Sequence, residues 1–139
     1  MMDMIGINHV AVVVENLEES LSFWEGKLGL NLDHIETVES MAVRIAMLPL
    51  GDSKIELVEP VGSDSGIARF LRERGPGLHH LCLEVEDVQV KLHQLSEQGV
   101  RLIDEVPQRM DDGRQLAFLH PRSTGGVLIE LYQLPEGKK

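Results

Sequence analysis

Cysteine, aromatic residues and positive charge are all scarce in this sequence of 139 residues. The single cysteine, Cys82, excludes an intramolecular disulfide and suits a reducing compartment, so we expect a cytoplasmic protein. Asp and Glu outnumber Lys and Arg by 23 to 13, and the net charge of −10 argues against nucleic acid or an anionic membrane as a partner. No apolar run approaches the roughly 18 residues of a membrane-spanning helix, and residues 1–4 lack the features of a secretory signal.

What the sequence does contain is an internal repeat. Residues 7–17 realign with residues 78–88 at a constant offset of 71, and an Ile-Glu-Leu tripeptide occurs in each half, at 55–57 and at 129–131. A repeat of this kind determines the architecture of a chain, because each half must form the same structural unit. It also places one histidine and one glutamate at matching positions in each half: His9 with Glu56, and His80 with Glu130.

Hydrophobic periodicity and turn residues predict the same element order, βαβββ, in both halves. The first half has strands predicted at 5–14, 30–38, 41–48 and 54–59 and a helix at 17–27. The second half has strands predicted at 78–85, 100–106, 115–119 and 126–132 and a helix at 88–97. Ser65 is expected to cap a connecting helix over 66–74.

One βαβββ module is too small to cover its own sheet, so two modules should pack together around a shared concave face. We therefore expect an α+β fold with a curved, partly open, barrel-like sheet and helices outside. A single domain, 1–139, would contain module one at about 5–60, a linker helix at about 65–75 and module two at about 77–133.

Strand parity indicates where the repeated histidines and glutamates point. Successive side chains of a strand alternate between the two faces of the sheet. If the Ile and Leu on either side of Glu56 and Glu130 face the helices, both carboxylates point into the concavity, and by the repeat so do His9 and His80. Two imidazoles and two carboxylates then converge on one centre.

Each residue taken alone has a structural explanation. A histidine on an apolar strand is more often a hydrogen-bonded core residue than a metal ligand. His79 suits this structural role. A glutamate in an alternating strand is usually solvated, but Glu130 shares its face with apolar side chains and, if buried, needs a partner or a metal. Four residues at repeat-related positions favour a metal site. The mixed donor set suits an open, six-coordinate divalent ion such as Zn, Mn, Co, Ni or Fe.

Several stretches of the sequence resemble the vicinal oxygen chelate (glyoxalase/bleomycin resistance) superfamily, and within it the methylmalonyl-CoA epimerases. They span nearly the whole chain: residues 7–12, 51–60, 67–71, 77–85 and 118–131. The resemblance implies that His9, Glu56, His80 and Glu130 bind a divalent metal, for which Co, Mn, Zn and Ni are the candidates. It further implies an acyl-CoA substrate and a homodimer.

The activity implied by the resemblance is the interconversion of (R)- and (S)-methylmalonyl-CoA. A proton leaves C2, and a metal chelating the thioester and carboxylate oxygens stabilises the resulting enolate. Glu130 is the expected base. Some family members carry a further catalytic base, a glutamate in the strand occupied here by residues 42–45, and this sequence has none there. Arginines expected at the rim could bind the coenzyme A phosphates: Arg72, Arg74, Arg114 and Arg122.

Other functions remain open for this set of residues. A lactoylglutathione lyase of the glyoxalase I type also uses two His and two Glu ligands, although the loop 121–126 favours the epimerase. Extradiol dioxygenases use two His and one Glu, so the second glutamate speaks against them. A non-catalytic small-molecule-binding protein of the same fold would lack the four ligands, and metal content would therefore distinguish it.

Overall fold

A computed structural model describes residues 4–136 of the chain. Within this range α1 continues directly into a π-helical segment, and the third and fourth strands form a hairpin. The elements are β1 (Met4–Val13), α1 (Leu17–Leu21) with the π-helical segment (Ser22–Lys27), β2 (His34–Val38), β3 (Val43–Leu50), β4 (Ser53–Pro60), α2 (Gly66–Arg74), β5 (Gly77–Val85), α3 (Val88–Glu97), β6 (Gln108–Arg109), β7 (Gln115–Leu119) and β8 (Ile129–Gln133).

The chain divides into two compact units, one of residues 9–79 and one of residues 4–8 with 80–136. In the first unit the strand order is β2-β3-β4-β1, and in the second it is β5-β8-β7-β6. One pair of strands in each unit is parallel: β1 with β4 in the first unit and β5 with β8 in the second. The other pairs within each unit are antiparallel. The α+β class and the tandem βαβββ modules are thereby confirmed. The single-domain assignment stays a prediction.

In unit 9–79 the helical side of the sheet is aliphatic. Leu57 of β4 is fully buried and packs in one cluster with Leu17 of α1 and Leu48 of β3, while Trp24 of the π-helical segment packs against them. This burial orients Ile55 and Leu57 toward the helix, as the parity argument requires. Glu56 therefore points to the other face of the sheet.

In the second unit the same arrangement recurs. Leu131 of β8 packs with Val88 and Leu92 of α3 and with Ala117 of β7, all of them at most 2% exposed. Glu130, between two residues of this cluster, consequently lies on the opposite face. The apolar side of each sheet thus fixes the direction of its glutamate.

Both helices that follow the first strand of a unit begin with a side-chain cap. Asn16 accepts a hydrogen bond from the N–H of Glu19 at 2.9 Å, and Asp87 accepts one from the N–H of Val90 at 3.0 Å. These residues stand at the repeat offset of 71. Such caps stabilise a helix start by about 1 kcal/mol. No helix within residues 4–136 is long and apolar enough to cross a membrane.

The strand predicted over residues 100–106 is wrong. The structure has an isolated bridge at Leu102 and confines the edge strand β6 to two residues. The carboxylate of Asp104 accepts a hydrogen bond from the N–H of Phe118 at 2.8 Å, so a side chain takes the place of the backbone acceptor of a strand. Pro107 then lacks the N–H that would continue the ladder.

Three other predicted strands begin later than expected, and the strand predicted from residue 41 starts at Val43. The second strand starts at His34 rather than at residue 30. The last strand starts at Ile129 rather than at residue 126, because Gly125 and Gly126 adopt φ values of 77° and 99°. Glycine accepts this left-handed conformation readily, and it turns the chain out of an extended path.

Candidate functional site

The first predicted pair forms within unit 9–79. His9 of β1 and Glu56 of β4 come from neighbouring parallel strands, in which Ala11 is the register partner of Glu56. The imidazole Nδ1 lies 3.2 Å from Oε2 of the carboxylate. Both residues are buried, with 5% and 7% of their surface exposed.

The second predicted pair forms within the other unit in the same way. His80 of β5 and Glu130 of β8 belong to neighbouring parallel strands, in which Cys82 is the register partner of Glu130. The imidazole Nε2 lies 3.1 Å from Oε1 of the carboxylate. Glu130 is 5% exposed, and the ring of His80 packs edge-to-face on Phe118 with the centroids 5.6 Å apart.

Buried carboxylates are costly unless they are paired, hydrogen-bonded or metal-bound. The pairing explains how Glu56 and Glu130 are tolerated, and within residues 4–136 no buried side-chain nitrogen or oxygen lacks a hydrogen-bond partner. The same atoms also fit a divalent ion. A nitrogen and an oxygen bound at right angles, each about 2.1 Å from one ion, lie about 3 Å apart. Each pair therefore offers two donor atoms at the spacing of adjacent ligands.

Apolar side chains surround each pair. On the Glu56 face of unit 9–79, Val43 and Val58 pack with Ile67 of α2. On the Glu130 face of the other unit, the buried Leu116 and Tyr132 pack with Cys82. The thiol sulfur of Cys82 is within 4.8 Å of a carboxylate oxygen of Glu130. This surrounding keeps water away from both carboxylates and strengthens the electrostatic interactions that they make.

Arg114, Tyr132 and Asp112 form a hydrogen-bonded group near Glu130 that the sequence did not predict. Nη1 of Arg114 donates to the hydroxyl of Tyr132 at 2.9 Å, and its Nε donates to Asp112 at 2.9 Å. Burial raises the pKa of Tyr132, although the arginine donor opposes that shift. For Arg114, burial alone would lower the pKa, but the bonds to Tyr132 and Asp112 outweigh it and raise the pKa. Asp112 and Arg114 lie in or beside a loop without a periodic pattern, so only the fold brings them to Tyr132.

Other candidates from the sequence have local roles. The ring of His79 packs edge-to-face on Phe70 of α2, with the centroids 4.9 Å apart, as suits a structural histidine. Arg74 lies over the same ring, and Arg72 donates to the carbonyl of Ser63. The hydroxyl of Ser123 accepts from the N–H of Arg101, which ties a loop together.

Residues 8–118 match the model of the glyoxalase/bleomycin resistance protein/dioxygenase superfamily. The sequence is also similar to three named proteins over at least nine-tenths of its length. It is 40% identical to protein YqjC of Bacillus subtilis (94% of this chain, 93% of that protein). It is 38% identical to the mitochondrial methylmalonyl-CoA epimerase of Bos taurus (91% and 73%) and 37% identical to the ethylmalonyl-CoA/methylmalonyl-CoA epimerase of Cereibacter sphaeroides (94% and 100%).

Solved structures show the same likeness. The methylmalonyl-CoA epimerase of Mycobacterium tuberculosis superposes with a TM-score of 0.85 at 35% identity, covering 95% of this chain and 89% of that one. A methylmalonyl-CoA epimerase in complex with methylmalonyl-CoA and NH4+ superposes with a TM-score of 0.84 at 30% identity, covering 97% of each chain.

Proposed function

Because the chain belongs to the glyoxalase/bleomycin resistance protein/dioxygenase superfamily and, within it, to the methylmalonyl-CoA epimerases, we propose that it interconverts (R)- and (S)-methylmalonyl-CoA with a divalent metal. The protein is an isomerase of this type. The observation that carries the metal-dependent proposal is the buried pairing of one imidazole with one carboxylate in each unit, at repeat-equivalent positions. The acyl-CoA ligand named for the solved relative supports the choice of substrate.

His9, Glu56, His80 and Glu130 are the proposed ligands of one divalent cation. Two imidazoles and two carboxylates would hold such an ion and would leave positions on it for substrate oxygens. When bound, the cation supplies Lewis-acid stabilisation of the negative charge that develops on the thioester and carboxylate oxygens. Co, Mn, Zn and Ni all accept this donor set.

Glu130 is the proposed base that removes the proton from C2. Its carboxylate is oriented by Nε2 of His80, 3.1 Å from Oε1, and lies in an apolar surrounding that includes Phe118. A carboxylate held in a fixed position toward C2 can remove the proton without first having to be oriented. A positioned acid–base group of this kind contributes about 10²- to 10⁴-fold to the rate.

Deuterium incorporation at C2 tests the proposal. Purified protein loaded with Co²⁺ or Mn²⁺ and incubated with (R)-methylmalonyl-CoA in D₂O should incorporate deuterium at C2 and form the (S) epimer. Glu130→Gln should slow both by about 10²- to 10⁴-fold. The matched control is Glu97→Gln, because Glu97 is a largely exposed carboxylate of α3. That variant should keep the full rate.

The alternative functions give different results in the same preparation. Turnover of the adduct of methylglyoxal and glutathione, without exchange at C2 of methylmalonyl-CoA, would assign the protein to the glyoxalase I type. A protein that retains no metal after purification and addition of metal, and that turns over neither substrate, would be a small-molecule-binding protein.

The homodimer and the cytoplasmic location are likewise proposals taken from the family and from the sequence. Light scattering during size-exclusion chromatography should give twice the 15.5 kDa mass of the chain. A mass equal to one chain would contradict the dimer.

A further inference from the structure

Arg114 lies on the face of the sheet that carries Glu130. In the antiparallel register of β7 and β8, Leu116 is opposite Tyr132 and Phe118 is opposite Glu130. Residues two apart in a strand point to the same side, so Tyr132 and Glu130 share a face with their Cα atoms about 7 Å apart. Arg114 precedes β7 and reaches the Tyr132 hydroxyl at this face.

The guanidinium is held from two sides. Its Nε donates to Oδ1 of Asp112 at 2.9 Å and lies 2.7 Å from Oδ2, and its Cζ lies 5.9 Å from the centroid of the Tyr132 ring. The backbone N–H of Arg114 also donates to Asp112, at 3.1 Å. These contacts fix the side chain before any ligand arrives. A preorganised guanidinium loses little rotamer freedom on binding, which favours affinity.

The side chain keeps donors for a ligand. A guanidinium has five N–H groups in a planar fork. In the part of the chain that the structure describes, the hydrogen bonds of Arg114 use Nε and one hydrogen of Nη1, so Nη2 is available. Arg114 is also 40% exposed at its side chain, whereas Tyr132 below it is buried. A ligand can therefore approach the guanidinium from outside.

We propose that Arg114 is a specificity-determining residue that binds the acyl carboxylate of the substrate and so selects malonyl-type thioesters. The proposal rests on the epimerase function proposed above and adds a residue to its site. Guanidinium and carboxylate match in geometry, and charge-assisted hydrogen bonds between them are about twice as strong as neutral ones. Asp112 and Tyr132 act as positioning residues for Arg114.

The phosphates of coenzyme A are the other anions that an arginine could bind. The whole pantetheine arm separates them from the acyl carboxylate, so one guanidinium cannot serve both. Arg114 contacts Tyr132, which lies two residues along β8 from the proposed base, Glu130. Arg114 is therefore close to the reacting carbon, and this position favours the acyl carboxylate of the substrate as its ligand. The proposal therefore assigns Arg114 to the acyl carboxylate and not to the phosphates for which the sequence made it a candidate.

Binding of two inhibitors tests the proposal without turnover. Malonyl-CoA and propionyl-CoA carry the same phosphates and differ in the acyl carboxylate. Dissociation constants are measured for the wild type, Arg114→Met and Arg114→Lys. Arg109→Met is the matched control, because Arg109 is an exposed arginine of β6 whose register partner, Gln115, lies on the opposite face from Leu116.

Arg114→Met should weaken malonyl-CoA by about 10- to 100-fold and leave propionyl-CoA unchanged. Arg114→Lys should recover part of the loss, since a lysine keeps the charge without the fork, and Arg109→Met should alter neither ligand.

An equal loss of affinity for both ligands in Arg114→Met would assign Arg114 to the phosphates, and no loss of affinity would remove it from the site. Either result overturns the proposal. If the wild type epimerises methylmalonyl-CoA and Arg114→Met keeps the full wild-type preference for malonyl-CoA over propionyl-CoA, only the present inference fails. A wild type without epimerase activity would refute the proposed function itself.

Far-ultraviolet circular dichroism of each variant excludes misfolding. Tyr132→Phe removes one hydrogen bond to Arg114, so it should weaken malonyl-CoA binding less than Arg114→Met does.

Discussion

The carboxylate of Glu59, at the end of β4, accepts a hydrogen bond from the backbone N–H of Leu17, at the start of α1, with Oε2 and N 2.9 Å apart. The equivalent bond in the other unit joins Oε1 of Gln133 to the N–H of Val88, also at 2.9 Å. The repeat thus extends to the contacts that fasten each helix to its sheet. Either an acid or an amide serves, because the bond needs only a side-chain oxygen.

The first prediction concerns this bond. Glu59→Ala should destabilise the protein by about 1–2 kcal/mol, because it leaves an N–H at the helix start without its partner. Glu59→Gln should cost less than half of that, since the amide oxygen can accept as Gln133 does. Urea denaturation measures both. An equal loss for the two variants would attribute the effect to the ion pair of Glu59 with Arg44, which is 3.0 Å long.

The two leucines next to the glutamates give a second prediction. Leu57 and Leu131 are at most 2% exposed and pack against the helix of their own unit. Replacement of either leucine by alanine should lower the free energy of unfolding by about 2–5 kcal/mol, because each leaves a cavity. Thermal unfolding of each variant, converted to a free energy of unfolding, measures this loss. A cost below about 1 kcal/mol at either position would contradict the packing described.

A third prediction separates the two carboxylates. Glu56→Gln and Glu130→Gln both retain a side-chain oxygen, but only Glu130 is the proposed base. Glu130→Gln should reduce C2 exchange by about 10²- to 10⁴-fold. Glu56→Gln should reduce the rate of C2 exchange much less. It should weaken metal affinity about as much as Glu130→Gln does. Exchange rates at saturating metal decide the matter, and equal rates in the two variants would remove the special role of Glu130.

Adjacent histidines provide a fourth prediction with a built-in control. His80 is paired with Glu130, whereas the ring of His79 packs on Phe70. His80→Ala should lose most of the bound metal and the epimerase activity. His79→Ala should keep both and lose only stability. Metal content by mass spectrometry after dialysis measures the difference, and metal loss in the His79 variant alone would reverse the assignment.

Much of the fold was predictable because the repeat and the strand alternation act together. The helices at 66–74 and 88–97 and the strand at 115–119 have the bounds that the sequence predicted. Their capping residues, Ser65 and Asp87, are local signals that a single sequence displays. The direction of Glu56 and Glu130 followed from their leucine neighbours, since a strand has only two faces.

What the sequence did not reveal depends on contacts distant along the chain. The strand predicted at 100–106 has the right residue types, but Asp104 binds the N–H of Phe118 and replaces the ladder there. Arg114 and Tyr132 are 18 residues apart, and no period connects a loop arginine with a strand tyrosine. Side-chain bonds of this kind are set by tertiary structure, which a local pattern does not encode.

Removal of metal shows whether proton exchange at C2 requires a divalent cation. The wild-type protein is treated with a chelator, divided, and assayed for deuterium incorporation at C2 of methylmalonyl-CoA with and without added Co²⁺, while bound metal is counted in the same samples. We expect no exchange in the metal-free sample, recovery on addition of Co²⁺, and one ion bound per chain at full recovery. Undiminished exchange in a sample shown to contain no metal would contradict this expectation.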